Sequence, residues 1–196
     1  MTEFRPHGTE PPSAWVQRWS HLVPKRGVVL DVACGHGRHA RWFYERNHPL
    51  ALVDRSQEAI DFIANSLPAS PIQVIETVVA DIENGPWPFA GRQFDAVVVT
   101  NYLWRPLLPT LLASLAPGGV LIYETFTQGN ETVGKPSRPD FLLRPGELLE
   151  VCQGLRVVAF EEGFHENPPR FIQRIAAVRE ATATAGLPAP PRYFLP

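Results

Sequence analysis

The stretch Val28-Val29-Leu30-Asp31-Val32-Ala33-Cys34-Gly35-His36-Gly37-Arg38-His39-Ala40 constrains this chain more than any other. Its short β-branched apolar run reads as a strand buried on both faces, the mark of a parallel sheet. An acid lies at the end of that run, followed by a turn with two glycines and then by residues that suit a helix. Strand, glycine turn and helix in that order build a ligand cradle at the carboxyl edge of an α/β sheet. Gly35 and Gly37 supply positive φ and let a ligand approach the backbone closely. The helix that follows is expected to aim its free N–H groups at the bound molecule.

Two classes of ligand use such a cradle. Gly35-His36-Gly37-Arg38-His39-Ala40 fits the dinucleotide pattern G-x-G-x-x-A, with Asp54 near the offset of a ribose-binding acid. Asp31 tips the balance the other way. Its carboxylate repels a cofactor phosphate and attracts a cofactor that carries an amino group and a sulfonium.

Asp31-Val32-Ala33-Cys34-Gly35-His36-Gly37 resembles the first motif of class I S-adenosylmethionine-dependent methyltransferases, and the resemblance runs from about residue 24 to about residue 180. It implies S-adenosyl-L-methionine as cofactor. It also implies an α/β, Rossmann-like three-layer sandwich, with a seven-stranded, mostly parallel sheet and an antiparallel final strand. The glycine loop, with Asp31, Ala33, Cys34, Gly35 and Gly37, would then face the methionine part of the cofactor. Asp54, with Arg55 beside it, would take the ribose hydroxyls, and Asp81 and Ile82 would flank the adenine. Asn101 and Tyr102 follow the apolar run Phe94-Asp95-Ala96-Val97-Val98-Val99-Thr100 and would face the transferring methyl group. They are the catalytic candidates, and Asn101 also borders the cofactor. The chain lacks the Asn/Asp-Pro-Pro-aromatic signature of the branch that methylates amino groups of nucleic acids and glutamine. Residues 141–149, followed by Phe160-Glu161-Glu162-Gly163, are similar to the tellurite-resistance branch of small-molecule methyltransferases.

The chain has 196 residues, enough for one domain with a sizeable core. A hydrophobic content of 44% and a net charge of −2 describe an ordinary soluble protein, with no basic excess that points to nucleic acid. No signal peptide or membrane-length apolar run is evident, so a cytoplasmic location is expected. Cys34 and Cys152 form neither a disulfide framework nor a metal cluster. No metal is expected, which disfavours metal-assisted catechol-type chemistry. Three parts are anticipated: an N-terminal arm and lid helix over 1–23, the methyltransferase domain over 24–180, and a mobile Pro-rich tail over 181–196. The aromatic end of that tail is available for a partner.

Helices are expected after a Ser13 cap and over 38–47, 57–66, 107–115 and 145–152, the last of them long. Strands are expected over 50–53, 72–79, 94–101, 120–126, 155–162 and 170–179, with an exposed connection at 163–169 that carries His165 and Glu166. Trp15 and Trp19 share a helix face and either pack on the sheet or lid the cofactor, in which case His7 and Arg5 reach the site. Trp87 and Phe89 either wall the adenine or plug the sheet end. Arg38 pairs with Asp31 or Asp54, serves an anionic substrate, or is solvated.

The segment after the fifth strand is polar, Gly-rich and too long for a tight connection, which marks a binding loop. Its substrate candidates are Glu124, Asn130, Arg138, Phe141 and Arg144. Alternatively, Arg138 and Arg144 pair with Glu131 or Glu147 and only brace the loop. A soft nucleophile needs no base, whereas an oxygen or nitrogen nucleophile would draw on His7, His36, His39 or Tyr123. The leading reading is a small-molecule methyltransferase. An RNA or protein methyltransferase, a nucleotide-binding oxidoreductase and a non-catalytic binding module are the alternatives.

Overall fold

A computed structural model describes residues 10–68, 70, 73–181 and 191–196. The run that opens the cradle is strand β1 (Val29–Val32), every residue of it buried. It is followed by β2 (Leu50–Asp54), β3 (Ile75–Val79), β4 (Phe94–Thr100), β5 (Leu115–Phe126), β6 (Arg156–Glu166) and β7 (Pro169–Val178). All seven form one sheet in the order β3-β2-β1-β4-β5-β7-β6. The first five are mutually parallel, and β7 lies antiparallel between β5 and β6. The order reverses at β1, where the chain crosses from β3 at one edge to β4, so the carboxyl ends of β1 and β4 border the crevice where such sheets bind ligands.

Two apolar cores cover the two faces. One buries Leu111, Leu143, Leu148 and Cys152 against the sheet, beneath helices α4 (Leu108–Ala113) and α5 (Glu147–Val151). The other buries Trp15, Trp19, Phe43 and Ile63, from α1 (Ala14–Trp19), α2 (Arg38–Tyr44) and α3 (Gln57–Ser66). Among the described residues no helix is long and apolar enough to cross a membrane.

The local signals set α1 and α3. The Ser13 and Ser56 hydroxyls accept from the N–H groups of Trp15 (3.1 Å) and Ala59 (3.2 Å), satisfying helix N-termini. Trp15 and Trp19 pack edge-on at 5.6 Å, each only 1% exposed, and the Trp15 indole donates to the Ile175 carbonyl. Both are sheet-packing residues.

Other elements differ from expectation. The last helix is α5, only five residues long, because Gly146 at φ 71° starts it late and Cys152 turns out of it. Helix α2 stops at Tyr44, before Asn47 at positive φ. The described part of β3 begins at Ile75; Ile72 lies outside the described residues. The Pro-Gly-Gly turn belongs to β5, where Gly118 and Gly119 bond to Arg179. Strands β6 and β7 extend past the sheet edge, so His165 sits half-buried in the ladder opposite Arg170. The described end of the tail returns to its own chain: Tyr193 packs on the α1 face, and His21 Nε2 lies 2.9 Å from the Phe194 carbonyl oxygen.

Candidate active site

The turn after β1 holds Ala33, Gly35 and Gly37 at positive φ (52°, 52° and 76°). Gly35 N–H donates to Asp54 Oδ2 (2.8 Å) and Ser56 N–H to Asp54 Oδ1 (2.9 Å). The acid ending β2 is thereby oriented by backbone on both sides. The two glycines do different work. A Cβ on Gly35 would meet nothing within 4 Å, so the space before the cradle is open. On Gly37 it would lie 2.7 Å from Ile63 Cγ1, so this glycine lets α2 close on α3.

Two cavities meet at Ala33. One, of about 260 Å³, is lined by Asp54, Arg55, Asp81, Ile82, Tyr102 and Phe141 among others. The second, of about 240 Å³, is lined by Cys34, Gly35, His36, Arg38, Thr100 and Asn101, with Glu10 and His39. Asp31 borders neither. It lies beneath the turn, 1% exposed, and its Oδ2 has no hydrogen-bond partner.

Burial pushes the Asp31 carboxyl up to about 7, opposed by the Arg38 charge and reinforced by Asp54. Asp81 is exposed, and its carboxylate accepts from the Asn84 side chain and from the N–H groups of Glu83 and Asn84, which hold its pKa below the ordinary value. The Tyr102 phenol is pushed up by burial and by Glu83, so it remains protonated. Burial also keeps Cys34 a thiol.

The proposed bases are mostly committed. Ser13 N–H donates to His39 Nε2 at 3.2 Å, which places the ring proton on Nδ1, facing Thr100 Oγ1 at 3.5 Å. Burial, aided by the Arg38 charge, lowers His39 to about 3 and keeps it neutral. The Tyr123 hydroxyl donates to the Tyr102 carbonyl at 2.8 Å and is pushed up by burial. His36 borders the second cavity, edge-on to Phe62 at 5.3 Å. His7 and Arg5 lie outside the described residues.

Of the loop candidates, the structure brings Phe141 to a cavity wall. Arg138 is exposed, pairs with Asp140 (3.0 Å) and lies 5.2 Å from the Phe141 ring. Arg144 pairs with Glu147 (3.5 Å) and Glu150 (3.0 Å). Asn130 is buried, donating to the Pro136 carbonyl and accepting from Phe171 N–H. Glu124 is buried between the Ser13 hydroxyl (2.9 Å) and Arg174 (3.2 Å). Trp87 and Phe89 pack edge to face in the α4 and α5 core at the sheet end.

Three residues with parts in this arrangement carry no motif. Glu10 reaches the second cavity and lies 3.6 Å from Arg38. Thr100 ends β4 at the wall of that cavity. Arg105 binds the loop that carries Phe141. A lone arginine before a proline offered no sequence signal for this, since its partners lie 35 to 42 residues away.

Residues 29–119 match the family model described as a methyltransferase domain. Among curated proteins, "Putative methyltransferase YqeM" of Bacillus subtilis (strain 168) is 27% identical over 124 residues, covering 58% of this chain and 48% of that protein. The chain thus spans about half the length of the curated relative it matches. Among solved structures, TehB from Haemophilus influenzae aligns with a TM-score of 0.67 at 18% identity, over 85% of this chain and 61% of that one. An S-adenosylmethionine-dependent methyltransferase from Mesorhizobium loti gives 0.64 at 17%, over 85% and 98%. The N-methyltransferase NodS from Bradyrhizobium japonicum WM9 gives 0.65 at 15%, over 84% and 94%. At these identities the likeness is one of fold.

Proposed function

We propose that this chain is a class I S-adenosylmethionine-dependent methyltransferase and that it catalyses methyl transfer to a small-molecule acceptor. One observation carries the reading: a buried Asp31 carboxylate oxygen without a partner, beneath a glycine turn whose open side faces space. A buried carboxylate in this state is costly unless a cation arrives to satisfy it. The residues therefore fit a cofactor that carries an ammonium and a sulfonium.

When bound, S-adenosyl-L-methionine supplies a methyl group on positively charged sulfur, already activated for in-line attack. The protein's part is to bind, align and exclude water. Asp31, buried beneath the turn and lining neither cavity, would act on the cofactor's cationic end through its charge, and Ala33, Cys34 and Gly35 would line the methionine side. Asp54 and Arg55 would hold the ribose, and Asp81 and Ile82, on the wall of the same cavity, would flank the adenine. Asn101, at positive φ and exposed at the end of β4, orients the acceptor through its amide. Tyr102 stays protonated and so donates a hydrogen bond instead of taking a proton. An oxygen or nitrogen acceptor would draw on His36 for a base.

Cavities of about 240 and 260 Å³ suit a cofactor and a small acceptor, and the net charge of −2 supplies no general attraction for nucleic acid. The unpaired Cys34 and Cys152 suit a reducing, cytoplasmic location. The test is calorimetric titration with S-adenosylmethionine, S-adenosylhomocysteine and NAD in parallel. Micromolar binding of the first two and none of NAD is expected. Selective NAD binding would overturn the reading in favour of an oxidoreductase.

A further inference from the structure

We infer that Arg105 is a positioning residue that sets one wall of the proposed adenosine cavity by holding Phe141 in place. The inference rests on the cofactor reading above and adds to it a residue that lines neither cavity.

Arg105 stands three positions after Tyr102, itself a wall of the Asp54–Asp81 cavity, in the turn between β4 and α4. Its guanidinium bonds in two directions. Nε donates to Glu147 Oε1 at 2.7 Å and Nη2 to Glu147 Oε2 at 2.9 Å, a bidentate pair. Nη1 also donates to the Asp140 carbonyl at 2.9 Å, and Nη2 to the Leu142 carbonyl at 2.8 Å. Asp140 and Leu142 are the residues on either side of Phe141. One planar group thus grips the backbone before and after the ring that lines the cavity.

The post that holds this grip is itself fixed. The Glu147 side chain is 4% exposed and also accepts Arg144 N–H at 2.7 Å. The next residue, Leu148, donates its N–H to buried Gln173 on β7 at 2.6 Å. The position of the Phe141 ring is therefore referred through Arg105 and Glu147 to the sheet. A lysine keeps the charge opposite Glu147 but lacks the planar fork that reaches both carbonyls at once.

The experiment measures the dissociation constant for S-adenosylhomocysteine by calorimetry in wild type, Arg105→Lys, Phe141→Ala and the double variant. Each single change is expected to weaken binding about tenfold, and the double variant also about tenfold, because Arg105 acts through Phe141. Glu147→Gln keeps the shape of the post without its charge. It is expected to weaken binding in wild type and to be silent on the Phe141→Ala background. A dissociation constant for Arg105→Lys within about twofold of wild type would overturn the inference. So would an unchanged value for Phe141→Ala, or a double variant weakened by the product of the single effects, about a hundredfold. Failure of wild type to bind either S-adenosylmethionine or its product would instead overturn the cofactor reading, and this inference with it.

Discussion

Gly35 N–H donates to Asp54 Oδ2 at 2.8 Å, so the turn after β1 and the acid that ends β2 form one unit. Ser56 N–H on Oδ1 completes the clamp at 2.9 Å. The acid is oriented before any ligand arrives, and the remaining lone pairs of its oxygens are left for hydroxyl donors.

Replacing Asp54 tests that unit. Hydrogen bonds to a charged group contribute roughly 1.5–3 kcal/mol each. Asp54→Ala should weaken S-adenosylhomocysteine binding by at least about 2 kcal/mol, roughly thirtyfold, with Asp54→Asn between it and wild type. Calorimetric affinity equal to wild type would place the ribose elsewhere.

The two glycines should separate function from packing. Gly35→Ala puts a Cβ into open space at φ 52°, a strain of about 1–2 kcal/mol, and obstructs the cradle. Gly37→Ala adds a 2.7 Å clash with Ile63 Cγ1 to similar strain, and its main effect should be on folding. Urea unfolding should rank Gly37→Ala as the less stable, and cofactor titration should rank Gly35→Ala as the weaker binder. The reverse order in both would exchange their roles.

Asp31 gives a pH dependence with a defined sign. Its folded pKa is about 7 against an ordinary 3.8, so between those values the folded chain holds a proton that the unfolded chain has released. From this group alone, stability falls as pH rises from about 4 to about 7. A bound cation favours the ionised carboxylate. Affinity for S-adenosylmethionine should therefore rise about tenfold per pH unit up to about 7 and then level, with a proton released on binding. Titrations in buffers of different ionisation enthalpy would detect that proton. Asp31→Asn should abolish the release; its persistence would assign it to another group.

Glu124 should behave as a structural anion. It is 1% exposed and bonded to Ser13 and Arg174, and removing one member of a buried pair costs about 3–5 kcal/mol. Because Arg174 keeps Glu161, Glu124→Ala should lower the unfolding free energy by less than that, about 2 kcal/mol, and Glu124→Gln by less still, because its amide oxygen can still accept from Ser13. Unchanged stability with lost turnover would make Glu124 a substrate contact.

Both cysteines should resist alkylation in the folded protein. Burial pushes the Cys152 thiol up to about 12 and Cys34 higher still. Iodoacetamide at pH 8 should modify each only after denaturation, which peptide mass mapping would read. Rapid native labelling of Cys34 would mean that the cradle opens.

The parallel sheet, the cradle at the end of β1 and the place of Asp54 and Asp81 at the carboxyl edge were all legible in the order of residues along the chain. These are local matters. A β-branched run prefers extended backbone, and Ser56 capping an apolar stripe starts a helix wherever the chain goes next. Which polar groups are left free to act was settled by long-range packing. Glu124, Asn130 and Arg144 read as loop ligands until strands β5 to β7 and helix α5 bring Arg174, Phe171 and Glu147 against them. His39 reads as a base until Ser13, 26 residues earlier, bonds its Nε2. Gly35 and Gly37 look equivalent until Ile63 packs against one of them. Arg105 gains its meaning from Glu147, 42 residues on. Backbone preference is written in neighbouring residues, whereas the satisfaction of a buried polar group depends on partners that only folding delivers.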